Sequence, residues 1–288
     1  MSYAPSPRPT FDAPTHIPYR DVTRHLWGDP EAGQVSDWIY ASTQEIHQLL
    51  FGVPPMGSFT HSDSFRTIFA ADEVLYVLSG EMVIANPQTG EVHRVRPGQA
   101  AFFRRDTWHH VHNLSNERLR VLEYFSPPPS QGTSGSYARQ QENLPEVRYG
   151  QDEWMTRFPM EDAARRAGHT IRHLREDDMM WRLEGSEHRV LVGLLAATEH
   201  LTAGKVRLLP GQHTDAMRHA GDKCMYVLEG DPQIHAPGKP DVPKWFELAP
   251  RDGFFVPHGE PHAIYNMTGT PVEVLFGVGP RYAPPEDA

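Results

Sequence analysis

The apolar residues of this 288-residue chain fall in short runs punctuated by glycine and proline. Ser36 to Val53 holds two β-rich runs, Asp37-Trp-Ile-Tyr-Ala-Ser and His47-Gln-Leu-Leu-Phe-Gly. Glu73 to Gly80 alternates poorly and is mostly apolar, the pattern of a strand buried on both faces. Gly80 to Ala85 followed by Asn86-Pro-Gln-Thr-Gly-Glu91 predicts strand, turn and strand, because Asn-Pro and Thr-Gly favour turns. Pro97-Gly98 marks another turn, ahead of a strand at Ala100-Ala-Phe-Phe103. From about Glu187 to Tyr282 short strands recur in the same rhythm. Such punctuation predicts an all-β chain, two antiparallel barrels or jelly rolls, rather than a βαβ fold. One helix is expected, Met160-Glu-Asp-Ala-Ala-Arg-Arg-Ala before Gly168, acids first and bases last as the helix dipole prefers.

The second half repeats the first. His61-Ser-Asp-Ser-Phe-Arg66 answers to His213-Thr-Asp-Ala-Met-Arg218, and Asp72-Glu-Val-Leu-Tyr-Val-Leu-Ser-Gly80 to Asp222-Lys-Cys-Met-Tyr-Val-Leu-Glu-Gly230. Pro97 to Asn113 answers to Pro250 to Asn266, with eleven positions from Gly98 to His109 and from Arg251 to His262. Three matched blocks in one order imply duplication of a structural unit. A Ser-Pro-Pro-Pro-Ser-Gln-Gly segment after Phe125 marks the boundary. The expected organisation is a flexible arm over 1–20, a barrel over 21–125, a linker with the short helix over 126–182, a second barrel over 183–282, and a tail.

Composition narrows the function. A formal charge of −10 disfavours nucleic acid and anionic membrane, which reward clustered Lys and Arg. No apolar run approaches the roughly 20 residues of a membrane span, and the N-terminus lacks the apolar core of a signal peptide. A single cysteine, Cys224, precludes an intrachain disulfide and fits a reducing cytoplasm. Phosphate-loop, dinucleotide, zinc-protease and serine-hydrolase motifs are all missing.

On these blocks the chain resembles the cupin superfamily, specifically the two-domain bicupins, over about residues 40–125 and 187–280. The family's first motif is G(x)5HxH(x)3–4E(x)6G and its second G(x)5PxG(x)2H(x)3N. Glu73 stands seven before Gly80 and His109 four before Asn113. Pro257-x-Gly259-x-x-His262-x-x-x-Asn266 fits the second motif outright, whereas Arg104-Arg-Asp106 departs from it. The resemblance implies a metal held by two motif-one histidines, the glutamate and the motif-two histidine. In the first half Glu73 and His109 match, with Thr67 and Phe69, or Arg66 and Ile68, at the histidine positions. In the second, His219 and His262 match, Met217 replaces a histidine and Lys223 the glutamate.

The candidate chemistry follows. In the second half His219 and His262 suit a transition metal, with His213, His258 or Asp215 as third ligand. Lys223 works against a dication but can anchor a carboxylate. In the first half His61, Glu73 and His109 form a candidate facial triad, or Glu73 and His109 act as catalytic base and acid. The blander alternative is Glu73 ion-paired to Arg66 or Arg104. Arg66, Arg104, Arg218 and Lys223 are the candidate substrate clamps. The expected activity is a metal-dependent bicupin oxidoreductase, an Fe(II)-type dioxygenase for a small organic acid or phenol. Zn, Ni or Mn are the alternative metals. A non-redox isomerase, lyase or hydrolase and a non-catalytic binding protein are the other readings. A small anionic molecule and further copies of the chain are the expected partners.

Overall fold

The computed structural model describes residues 6–127, 136–150, 167–237 and 244–283. The first half contains β1 (Thr15–Ile17), β2 (Thr23–Asp29), β3 (Gly33–Ser42), β4 (His47–Val53), β5 (Ser58–Phe59) and β6 (Asp72–Ser79). It continues with β7 (Met82–Ala85), β8 (Val92–Val95), β9 (Ala100–Phe103), β10 (His110–Asn113) and β11 (Leu119–Ser126). A short helix, α1 (Ser136–Gln140), follows. The second half contains β12 (Ile171–Leu174), β13 (Met180–Glu184), β14 (Val190–Ala197), β15 (Thr202–Leu208) and β16 (Ala220–Glu229). Its last strands are β17 (Gln233–His235), β18 (Trp245–Glu247), β19 (Gly253–Val256), β20 (Ala263–Tyr265) and β21 (Val272–Arg281). Of the helix expected over 160–167, only Ala167 is among the described residues. Among those residues no helix is long and apolar enough to cross a membrane.

Each half is a jelly roll of one seven-stranded and one smaller antiparallel sheet, open rather than closed into a barrel. The first unit has the order β12-β9-β6-β11-β4-β3-β2 over β5-β10-β7-β8. The second has β1-β19-β16-β21-β15-β14-β13 over β18-β17-β20. Successive side chains of a strand point to opposite faces, so the central strands feed two cores at once. Leu75 and Val77 of β6 enter the first unit, whereas Val74 and Tyr76 enter a core between the two large sheets. On β16, Met225 and Val227 enter the second unit while Cys224 and Tyr226 face that shared core. Burial on both faces is what the mostly apolar run at Glu73–Gly80 anticipates.

Strand exchange crosses the boundaries suggested by composition. Thr15–Ile17, inside the segment expected to be a flexible arm, forms the edge of the second unit's large sheet by pairing with β19. Conversely β12, inside the expected linker, pairs with β9 of the first unit. Each edge strand covers unpaired backbone groups that would otherwise face solvent. Composition could not show this, since neither segment alternates strongly.

Backbone conformation preserves the repeat. Gly98 (φ 84°) corresponds to Arg251 (φ 79°), and Asp106 (φ 64°) to Gly259 (φ 75°). Aspartate is one of the few non-glycine residues that visit the left-handed region readily, so Asp106 replaces the motif glycine without losing the turn.

Candidate functional site

Backbone hydrogen bonds fix which residues occupy equivalent places in the two units. The amide of His109 donates to the Thr67 carbonyl, and that of His262 to the Met217 carbonyl. The Asp106 amide donates to Phe69, as the Gly259 amide does to His219. Thr67 and Phe69 are therefore the counterparts of Met217 and His219, and Arg66 and Ile68 are not. Asn113 and Asn266 play one structural role, each side chain binding backbone groups of its own hairpin.

In the second unit the four family positions converge, and a lysine sits at their centre. Lys223 shares the inward face of β16 with Met225 and Val227. Its Nζ lies 3.3 Å from Met217 Sδ, 3.3 Å from His219 Nε2 and 3.1 Å from His262 Nε2. Three ammonium protons thus meet three acceptors. His219 Nδ1 donates to the Tyr282 carbonyl, which leaves Nε2 as the acceptor in this network. Burial first, then the Lys223 charge, lowers His219 to about 3 and pushes His262 well below the ordinary imidazole range. Both imidazoles are neutral at pH 7. Lys223 is 1% exposed, and burial lowers its amine to about 7, against a smaller raising effect from Glu184. Tyr282 stacks on His219 with ring centroids 4.5 Å apart, and its hydroxyl donates to Glu184. Outside it lies a cleft of about 720 Å³ lined by Arg182, Glu184, Met217, Arg218, His219 and Tyr282.

The first unit brings Glu73 and His109 together, with Oε2 and Nε2 3.9 Å apart. His109 adjoins a cavity of about 40 Å³ walled by Trp27, Phe51, Phe59, Phe69 and Phe125. That is room for about three water molecules. Glu73 Oε2 and Thr67 Oγ1 have no hydrogen-bond partner among the described residues. Two further acids point inward. Glu123 lies against Glu73, and Asp37 is 3.2 Å from His25 Nδ1. Burial, reinforced by the neighbouring acid charges, raises Glu73 and Glu123 well above the carboxylate range, and burial raises Asp37 to about 6. Burial also lowers His109 to about 4. Glu123 and Asp37 were legible in principle. Each interrupts an apolar strand at the parity of its core-facing neighbours, Val121 and Phe125 or Val35 and Ile39.

The remaining candidates are held elsewhere. His61 Nδ1 is 2.8 Å from His110 Nε2, so His61 does not join Glu73 and His109. His213 stacks on Tyr265 and meets His188 at a tilt, apart from the Lys223 cluster. Asp215 caps the loop at 186–188 through its amides, and His258 contacts Glu45. Arg66 binds the carbonyls of Arg139 and Gln141 near α1. Arg104 joins Asp72 to Glu199 and so ties the two units together. Arg218 lies on the cleft rim, donating to the Gly259 carbonyl.

The donor sets do not fit the family's metal. Phe69 and Thr67 place a carbon ring and a hydroxyl where the first unit would need imidazoles. In the second, the Lys223 amine occupies the centre that a dication would take. Among the described residues, neither set brings three His, Cys, Asp or Glu ligand atoms within 4.8 Å of one another.

Two duplicated jelly rolls with these motifs define a two-domain cupin fold. The model of the cupin domain matches residues 70–125 and 204–278. A putative glyoxylate induced protein from Pseudomonas aeruginosa is similar at 17% identity and TM-score 0.64, over 96% of this chain and 93% of that one. A point mutant of Bacillus subtilis oxalate decarboxylase is 14% identical at TM-score 0.61, over 96% of this chain and 80% of that one. Lactobacillus farciminis oxalate decarboxylase, in its formate complex, is 12% identical at TM-score 0.61, over 96% and 88%. Mn(II) centres are described for the Bacillus subtilis decarboxylase. A sequence search of curated proteins found no match. These likenesses establish the fold, since cupins host many activities.

Proposed function

We propose that this bicupin is a non-redox enzyme of the isomerase, lyase or hydrolase class, acting on a small anionic carbonyl compound through Lys223. The observation that carries this reading is the Lys223 Nζ, 3.1 Å from one motif histidine and 3.3 Å from the other, where relatives of the family hold a metal. A buried amine lowered to about 7 is partly neutral near pH 7 and therefore nucleophilic. It adds to the substrate carbonyl carbon, the carbonyl oxygen leaves as water, and an iminium forms. The neutral His219 and His262 relay the protons. Arg218 on the rim meets the substrate's carboxylate. Tyr282, stacked on His219, lines the cleft beside this cluster.

The expected Fe(II)-type dioxygenase would need an ion with open positions for O2 and a chelating substrate. Neither unit supplies three donors at the family positions, so the proposed chemistry runs through the amine instead. A cytoplasmic setting remains part of the proposal and accords with the buried thiol of Cys224.

Reductive trapping tests it. The protein is incubated with a panel of small 2-oxo acids and aldehydes plus cyanoborohydride, then mapped by mass spectrometry. The chain has only four lysines, so assignment is direct. A single adduct on Lys223, lost in Lys223→Met, is the expected result. No adduct at Lys223 with any carbonyl would overturn the proposal and favour a bicupin that binds a ligand without turnover.

A further inference from the structure

We propose a zinc-type divalent metal site at Glu91, His93 and His169, which staples the returning strand β12 to the first unit. Glu91 closes the turn before β8, His93 lies on β8, and His169 stands just ahead of β12. The site therefore forms where the edge of the small sheet meets the edge of the large one. It is distinct from both cupin motifs and shares no residue with the Lys223 cluster.

Glu91 is 1% exposed, and its two oxygens have different surroundings. Oε1 accepts the amides of Thr170 and Ile171, each at 3.0 Å, and the Thr170 hydroxyl. Oε2 shares the Thr170 amide and faces the two histidines, 3.8 Å from His93 Nε2 and 3.9 Å from His169 Nδ1. Those separations are too long for hydrogen bonds. The rings stand edge to face at 86°, with centroids 4.9 Å apart. All three ligand atoms lie within 4.8 Å of one another, the one such group among the described residues. Tetrahedral zinc with bonds near 2.1 Å sets its ligands about 3.4 Å apart, so the two Glu91–histidine separations need to shorten by only roughly half an ångström. His93 Nε2 has no hydrogen-bond partner among the described residues, as suits a lone pair reserved for a cation.

The surroundings match a metal site. A ligating carboxylate is normally held by donors on its far oxygen, and Oε1 of Glu91 is so held. Two imidazoles and one carboxylate favour zinc among the available divalent cations. The fourth position opens on a groove lined by Arg172 and His173, where a water completes the tetrahedron. His173 is engaged with Gln99 Oε1 at 2.9 Å and is not the fourth ligand. Because Thr170 and Ile171 hang on Glu91, ion binding favours the docked strand, and its affinity becomes stability of the first unit.

The full-length chain, stripped with EDTA and returned to metal-free buffer, is titrated with zinc chloride by calorimetry, with circular dichroism and thermal melts alongside. The expected result is one equivalent of zinc bound and a raised melting temperature. Both should weaken at least tenfold, in affinity and in the zinc needed, in His93→Gln and in His169→Gln, and persist in His262→Gln. His169 lies outside the strands, so its variant keeps the test open should His93→Gln fail to fold. Cobalt loading gives an independent readout, an intense visible spectrum of tetrahedral type that both ligand variants lose. Absence of zinc binding in the wild type, affinity unchanged in His169→Gln, or loss in His262→Gln would each overturn the site.

Discussion

Lys223→Met probes the centre of the second unit. In the folded protein the amine titrates at about 7, against 10.5 as its ordinary value. The native state therefore disfavours the proton. The unfolded chain binds it below 10.5 and the native chain only below about 7. The cost to stability is full below pH 7, shrinks as pH rises, and vanishes above 10.5. At 1.36 kcal/mol per pH unit, the full cost is about 5 kcal/mol, and about 2 kcal/mol of it is relieved between pH 7.5 and 9. Contacts with Met217, His219 and His262 offset part of it, because they satisfy the ammonium. Replacing buried charged groups with apolar ones of similar volume typically stabilises by about 1–4 kcal/mol. Urea unfolding at pH 6, 7.5 and 9, followed by fluorescence, should show Lys223→Met more stable than wild type at pH 6. The gap should narrow by about 2 kcal/mol from pH 7.5 to 9. A variant less stable than wild type, or a gap independent of pH, would refute the account of a strained amine. The same variant should abolish reductive trapping, so stability and activity should move in opposite directions.

Two further outcomes test the frame around the site. Asp37 is raised from 3.8 to about 6 by burial, so its native form prefers the proton and it costs stability above pH 6, not below 3.8. Asp37→Asn should therefore match wild type near pH 4 and exceed it by up to about 3 kcal/mol at pH 7, and a constant difference across that range in urea unfolding would refute the assignment. A Cβ on Gly277 would lie 2.4 Å from Tyr124 Cδ1 in the core between the large sheets, whereas one on Gly269 meets nothing within 4 Å. Gly277→Ala should cost about 1–3 kcal/mol or more by chemical denaturation and Gly269→Ala almost nothing, and equal effects would mean the sheets can part to accept the methyl group.

The duplication, the all-β class and the inward histidines His109, His219 and His262 were legible along the chain. They depend on local periodicity and on turn residues that act over a few positions. Lys223 in place of the motif glutamate was visible too, as was its conflict with a dication. What the chain alone left open was where each charge would go. His61 and His213 stand at the right places in the repeat, yet loops carry them to His110 and Tyr265. Arg66 and Arg104 are recruited by backbone carbonyls and by Asp72 and Glu199, partners up to 95 residues away. Strands β1 and β12 exchange between units because edges need partners, and edge pairing leaves little trace in composition. Glu91, His93 and His169 span 78 positions and meet only because β12 docks beside β8. Periodicity tells which face a residue takes; which residues share a site is decided by sheet order and register, which only the packed chain determines.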